Sequence, residues 1–127
     1  MQKDIIQTEN APAPIGPYSQ AVEVDGTLYC SGQIPVNPET GEIPETIEAQ
    51  THQVLANLRA VITEAGGELE DIVKTTIFLK DLSTFPSVNA IYGEYFEGPT
   101  APARSTVQVV ALPKDVLIEI DAIARLD

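Results

Sequence analysis

Two stretches of this chain repeat their apolar residues at the helical period, and that pair limits the architecture more than any other feature. Ile47, Thr51, Val54, Leu55, Leu58, Ile62 and Ala65 fall on one face of a first helix. Val88, Ile91, Tyr92, Tyr95 and Phe96 form the stripe of a second. Thr46 can cap the first helix with Glu48 in its opening turn, and Gly66-Gly67 ends it. Ser83 or Thr84 precedes the second, whose first turn suits Pro86. The remaining ordered segments read as strands at 3–8, 19–24, 27–31, 72–79, 103–111 and 116–124. Asp25-Gly26 is a hairpin signal, while 11–17 and 32–44 are proline-rich loops. The order β-ββ-α-β-α-ββ sets two helical stripes against a mixed sheet, an α+β sandwich of one domain over residues 1–127. Two helices cover one face. Where the other face is apolar it needs a second subunit, so a homo-oligomer is expected.

Composition removes several function classes. Seven Lys and Arg stand against nineteen Asp and Glu, a net charge of −12. Nucleic-acid binding draws on a basic footprint, and anionic membranes attract basic segments, so neither partner is expected. Cys30 is the only cysteine, which forbids a disulfide within the chain and fits a reducing, cytoplasmic setting. No apolar run suggests a signal peptide or a membrane span. One His and one Cys make a compact zinc site improbable, and no glycine-rich phosphate loop is present, so no metal and no cofactor are expected.

The two C-terminal strands hold the most informative polar residues. Alternation puts Arg104, Thr106, Gln108 and Val110 on one face, and Leu117, Glu119, Asp121 and Ile123 on one face of the next strand. A hairpin through 112–115 would pair Gln108 with Glu119, Thr106 with Asp121 and Arg104 with Ile123, gathering the polar groups on one side. Arg104 would still lie roughly 13 Å along the strand from Glu119. One shared site then requires a long reach, a bridging ligand or a subunit boundary. A guanidinium matches a carboxylate, and a glutamate can polarise a water. Pattern alone favours the plainer reading of both residues as ion-pair partners at an oligomer interface.

Other candidates are open in the same way. Cys30 ends an apolar strand and reads as core. His52 lies beside the first stripe, with no carboxylate partner evident. Tyr18 follows Gly16-Pro17 and either covers a pocket or packs. Ser31 meets a glycine-containing loop, as a ligand contact or as a turn-stabilising hydroxyl. Asn89 lies off the second stripe, solvated or donating toward a site.

Four segments, taken in order, resemble the RidA/YjgF family. They are 13–21 (APIGPYSQA), 31–35 (SGQIP) with Gly41-Glu42, 71–76 (DIVKTT) with Phe78-Leu79 and Val88-Asn89, and 102–105 (PARS) with 112–115 (LPKD) and Ile118-Glu119-Ile120. The resemblance implies a chorismate-mutase-like fold, with a mixed sheet, two helices on one face and a homotrimeric barrel whose clefts lie between subunits. It implies hydrolysis of 2-iminopropanoate or 2-iminobutanoate, with their enamine tautomers, to the 2-oxo acid and ammonia. By position, Arg104 would grip the substrate carboxylate and Glu119 would orient water. Tyr18, Ser31, Gly32, Asn89 and Thr106 would line the cleft. Thr106 stands where many relatives carry Cys, Asp121 replaces a common Glu, and 98–101 is shorter than in some relatives. A trimeric carboxylate-binding or regulatory protein without deaminase activity is the alternative.

Overall fold

The computed structural model describes residues 2–127. Six strands form one sheet: β1 (Asp4–Ile6), β2 (Ala21–Val24), β3 (Thr27–Gln33), β4 (Ile72–Leu79), β5 (Ala103–Gln108) and β6 (Ile118–Arg125), in the spatial order β1-β2-β3-β6-β4-β5. Two helices, α1 (Ile47–Glu64) and α2 (Phe85–Tyr95), pack on one face.

Local chemistry places these boundaries. Asp25 and Gly26 both take positive φ, 50° and 84°, the requirement of the tightest two-residue hairpin turn, and β2 and β3 pair across them. Thr46 caps α1 by accepting from the Ala49 N–H at 3.1 Å, and Gly66 follows the helix at φ 90°. The stripe Val54, Leu55, Leu58, Val61 and Ile62 is fully buried against Leu28, Ile77, Leu79, Ile118 and Ile120 of the sheet. The strands expected at 3–8 and 103–111 shorten to Asp4–Ile6 and Ala103–Gln108, and that expected at 27–31 extends to Gln33.

The expected C-terminal hairpin does not form. β6 lies antiparallel between β3 and β4, and β5 lies beyond β4, parallel to it. Two physical reasons account for this. A strand, a helix and a strand in succession form a crossover unit, so β4-α2-β5 closes as a parallel pair. β6, with Ile118, Ile120, Ala122 and Ala124 all buried, suits the centre of the sheet. β5, with Ser, Thr and Gln among its six residues, suits an edge. The connection passes the end of β4, where Val109 N–H donates to the Leu79 carbonyl and Lys80 N–H to that of Leu117.

The consequence for the polar residues is a reversal. Arg104 pairs with Thr75, which also pairs with Ala122, so Arg104 stands on the helix side of the sheet. Glu119 pairs with Phe78 and stands on the open side. The two residues expected on one face occupy opposite faces of this chain. The open face carries Ile5, Tyr29 and Val107 at 54, 52 and 42 % exposure.

Candidate functional site

Two separate half-sites emerge. The first is built on the open face. Glu119 projects from β6 into a groove of about 520 Å³ lined by Ile15, Tyr18, Ser31, Gly32, Ile34, Pro113 and Lys114. Gly32 lies beside a register shift between Cys30 and Gln33, and its Cα lies against the Glu119 side chain. A Cβ added at Gly32 would come within 2.8 Å of the Glu119 carboxyl carbon. Only glycine admits the carboxylate at that place. Burial, reinforced by the neighbouring charge of Asp121, pushes the Glu119 carboxyl above the usual carboxylate range.

Ser31 donates its hydroxyl to the Ser19 carbonyl at 2.6 Å, so its proton ties β3 to the 12–19 loop while its oxygen borders the groove. Tyr18 is 52 % exposed and its hydroxyl accepts a long 3.4 Å bond from Ile15 N–H. Lys114 and Asp115 both hold left-handed backbone, φ 55° and 56°, a strain that clusters at functional loops. Asp115 is anchored by an ion pair with Lys80, and Lys114 turns toward the groove.

The second half-site lies at the sheet edge on the helix side. Arg104 Nη1 donates to Asn89 Oδ1 at 2.7 Å, and its guanidinium carbon lies 5.1 Å from the Phe85 ring and 5.0 Å from the Tyr92 ring. Asn89 is exposed and accepts from Arg104 through its carbonyl oxygen, so it meets the site as an acceptor rather than the expected donor. A hollow of about 430 Å³ opens beside it, lined by Asn89, Tyr92, Gly93, Phe96, Ala101, Pro102 and Arg104. Thr106 lies half-buried on the same face, one alternation further along β5. Neither Arg104 nor Glu119 belongs to a salt bridge among the described residues, where the ion pairs are Lys80–Asp115 and Arg125–Asp127.

The remaining candidates fall away. Burial, with Asp121 adding to it, pushes the Cys30 thiol up to about 12, so no thiolate nucleophile exists at neutral pH. His52 bonds the Tyr95 hydroxyl at 2.8 Å on the helix surface and lines neither half-site. No group of three or more His, Cys, Asp and Glu suited to a metal occurs among the described residues. No helix among them is long and apolar enough to cross a membrane.

Sequence reasoning missed the residues that pin the chain around the first half-site. Three buried amides do so. Gln20 binds the Thr8 N–H and the carbonyls of Thr8, Ala11 and Pro12. Asn57 donates to the carbonyls of Ile34 and Val36, and Gln50 joins Pro44 to Leu117. A signal existed for Asn57, which sits three residues from Val54 and four from Val61 on the apolar face of α1.

Comparison with known proteins adds an independent line. Residues 8–126 match the profile of the family described as Endoribonuclease L-PSP. A RutC family protein of Synechocystis is 56 % identical over 128 residues, covering 99 % of this chain and 98 % of that protein. The 2-iminobutanoate/2-iminopropanoate deaminase of Escherichia coli K12 is 55 % identical over 121 residues, covering 94 % of each. A solved structure from Yersinia pestis, described as a protein of unknown function of the conserved Rid family, superposes with a TM-score of 0.96. It is 54 % identical and covers 98 % of this chain and 100 % of that one.

Proposed function

Since the chain belongs to the RidA/YjgF family, whose profile carries the endoribonuclease L-PSP description, we propose that it hydrolyses short 2-imino acids to 2-oxo acids and ammonia. The observation that carries this reading is the state of its two charged groups. Arg104 and Glu119 are both free of ion pairs among the described residues, each bordering its own hollow. An ion pair within the protomer has no support in that arrangement, and an ion pair at an oligomer interface, the competing explanation, is separated from catalysis by the activity of the variants below.

Opposite faces of one sheet cannot form one cleft within a chain, so the cleft is shared. In a closed homotrimer the β5 edge of one protomer meets the open face of the next, and the exposed Ile5, Tyr29 and Val107 become interface. Arg104 then holds the substrate carboxylate by two N–H groups. Glu119 of the neighbouring protomer takes a proton from water as the oxygen adds to the C=N carbon. Glu119 passes that proton to the imine nitrogen, then takes the hydroxyl proton of the tetrahedral adduct and delivers it to the amine nitrogen as the C–N bond breaks, which releases ammonia and the 2-oxo acid. A carboxyl raised above its usual range serves both steps better than an ordinary one, and such assistance supplies about 10²–10⁴ in rate. Tyr18, Ser31, Gly32, Asn89 and Thr106 line the cleft, and neither a metal nor a cofactor enters the reaction.

An RNA-cleaving activity, suggested by the family's description, finds little here. The net charge is −12, and the single histidine is engaged with Tyr95. The test generates 2-aminoacrylate with a serine dehydratase and follows 2-oxo acid release. The wild type accelerates release, Arg104→Ala loses about 10²-fold or more, and Glu119→Gln loses about as much. Full activity in Arg104→Ala refutes the carboxylate role.

A further inference from the structure

An arginine on an exposed edge strand is a poor anion receptor until its plane is fixed, since a free side chain must give up its rotamer freedom on binding. Helix α2 supplies three contacts that fix it. Phe85, Asn89 and Tyr92 are spaced four and three apart, which aligns them on one helix face. Phe85 and Tyr92 are two turns apart, about 10.5 Å at the helical rise. The guanidinium carbon stands 5.1 and 5.0 Å from their ring centroids, so it lodges between them. Asn89, midway, takes the hydrogen bond from Nη1.

Tyr92 is itself held. Its hydroxyl and Thr75 Oγ1 are hydrogen-bonded at 2.7 Å in a buried position, and Thr75 is the register partner of Arg104 on β4. The contacts close a circuit from β5 to α2, to β4 and back to β5. The choice of rings matters chemically. An acidic partner would fix the guanidinium by neutralising it and would compete with an incoming carboxylate. Aromatic faces attract a planar cation and leave its N–H groups and charge available.

We propose that Phe85, Tyr92 and Thr75 are positioning residues that pre-set the Arg104 guanidinium between two rings, with its Nε–Nη2 edge left free to receive the carboxylate of a 2-imino acid. The substrate part of this rests on the function proposed above. The three residues act through Arg104 and touch no reacting atom.

The chain has three arginines, which makes nitrogen-15 NMR of their side chains direct. In ligand-free wild type, the Arg104 Nε–H is expected to be shifted by ring currents away from its position in the denatured chain, with hindered rotation at its Nη groups. Phe85→Leu abolishes both signatures and Phe85→Tyr retains them. An Arg104 signal identical to that of the denatured chain, or unmoved by Phe85→Leu, overturns the clamp. Binding of 2-oxobutanoate, a stable stand-in for the imine, gives the second readout. Phe85→Leu and Tyr92→Leu weaken it about tenfold, and Phe85→Tyr restores it, while binding of the neutral 2-oxobutanamide is unmoved. In an Arg104→Lys background, Phe85→Leu costs nothing further. Equal losses in both backgrounds mean that the ring merely packs, and the proposal fails. A wild type that keeps the NMR signature yet binds no 2-oxobutanoate sinks the carboxylate reading alone.

Discussion

Gly32 leaves open the space that the Glu119 carboxylate occupies, since a Cβ there would lie 2.8 Å from its carboxyl carbon. Gly32→Ala forces the carboxylate to rotate away. We expect kcat to fall about 10²-fold, as for a catalytic group misplaced by an ångström, with 2-oxobutanoate binding retained because Arg104 is untouched. Retained kcat in Gly32→Ala would detach Glu119 from catalysis. The raised pKa of Glu119 has a stability consequence of definite sign. Burial first, and Asp121 second, favour its protonated form in the folded state. The stability tied to that proton is present below the ordinary value of 4.5 and is lost as pH rises through the higher folded value. Glu119→Gln removes the loss. Thermal scans should show it melting above wild type at pH 7 and level with it near pH 4 or below, with no gain at neutral pH counting against the burial argument.

Among the elements, pattern revealed faces but not neighbours. Period-two alternation correctly marked Ile118, Ile120 and Ala122 as core-facing and Glu119 and Asp121 as their opposites. It could not say which strand flanks β6, because an alternating strand suits any partner that shares its buried side. The four residues 112–115 have the length of a hairpin turn, yet the helix between β4 and β5 is the stronger topological signal. The hairpin at Asp25-Gly26, the ends of α1 and the span Ile72–Leu79 were legible because local chemistry alone determines them. Arg104, Glu119 and Asn89 were legible as residue types, whereas Phe85 and Tyr92 were not. An aromatic at helical spacing reads as core whether or not a cation rests against it. The buried amides belong to this scale too. Asn57→Ala leaves the carbonyls of Ile34 and Val36 without their donor, so denaturant titration should find a loss of about 2–4 kcal/mol.

At the scale of the whole molecule, the separation of Arg104 from Glu119 makes a prediction that neither residue makes alone. Arg104→Ala and Glu119→Gln, each inactive, can be dissociated and reassembled together. Random mixing in a trimer of shared clefts puts an intact Arg104 opposite an intact Glu119 in about a quarter of them, and activity should return to that extent. A site lying within one chain recovers nothing. The open face makes the companion prediction. Tyr29→Glu, on an apolar surface already 52 % exposed, should yield monomers in sedimentation and abolish turnover while leaving the melting transition cooperative.

The insertion of β6 between β3 and β4 also governs how the native state is reached. Thr27 and Arg125, paired across the middle of the sheet, are 98 residues apart in sequence. Until that pairing closes, the chain consists of two half-sheets, β1-β2-β3 and β4-β5, each with a bare inner edge. Nonlocal closure of this kind is slow, and bare edges recruit other chains. Refolding yield should therefore depend on protein concentration more steeply than native stability does, because the nascent molecule is stickiest in the interval before its last strand slots home.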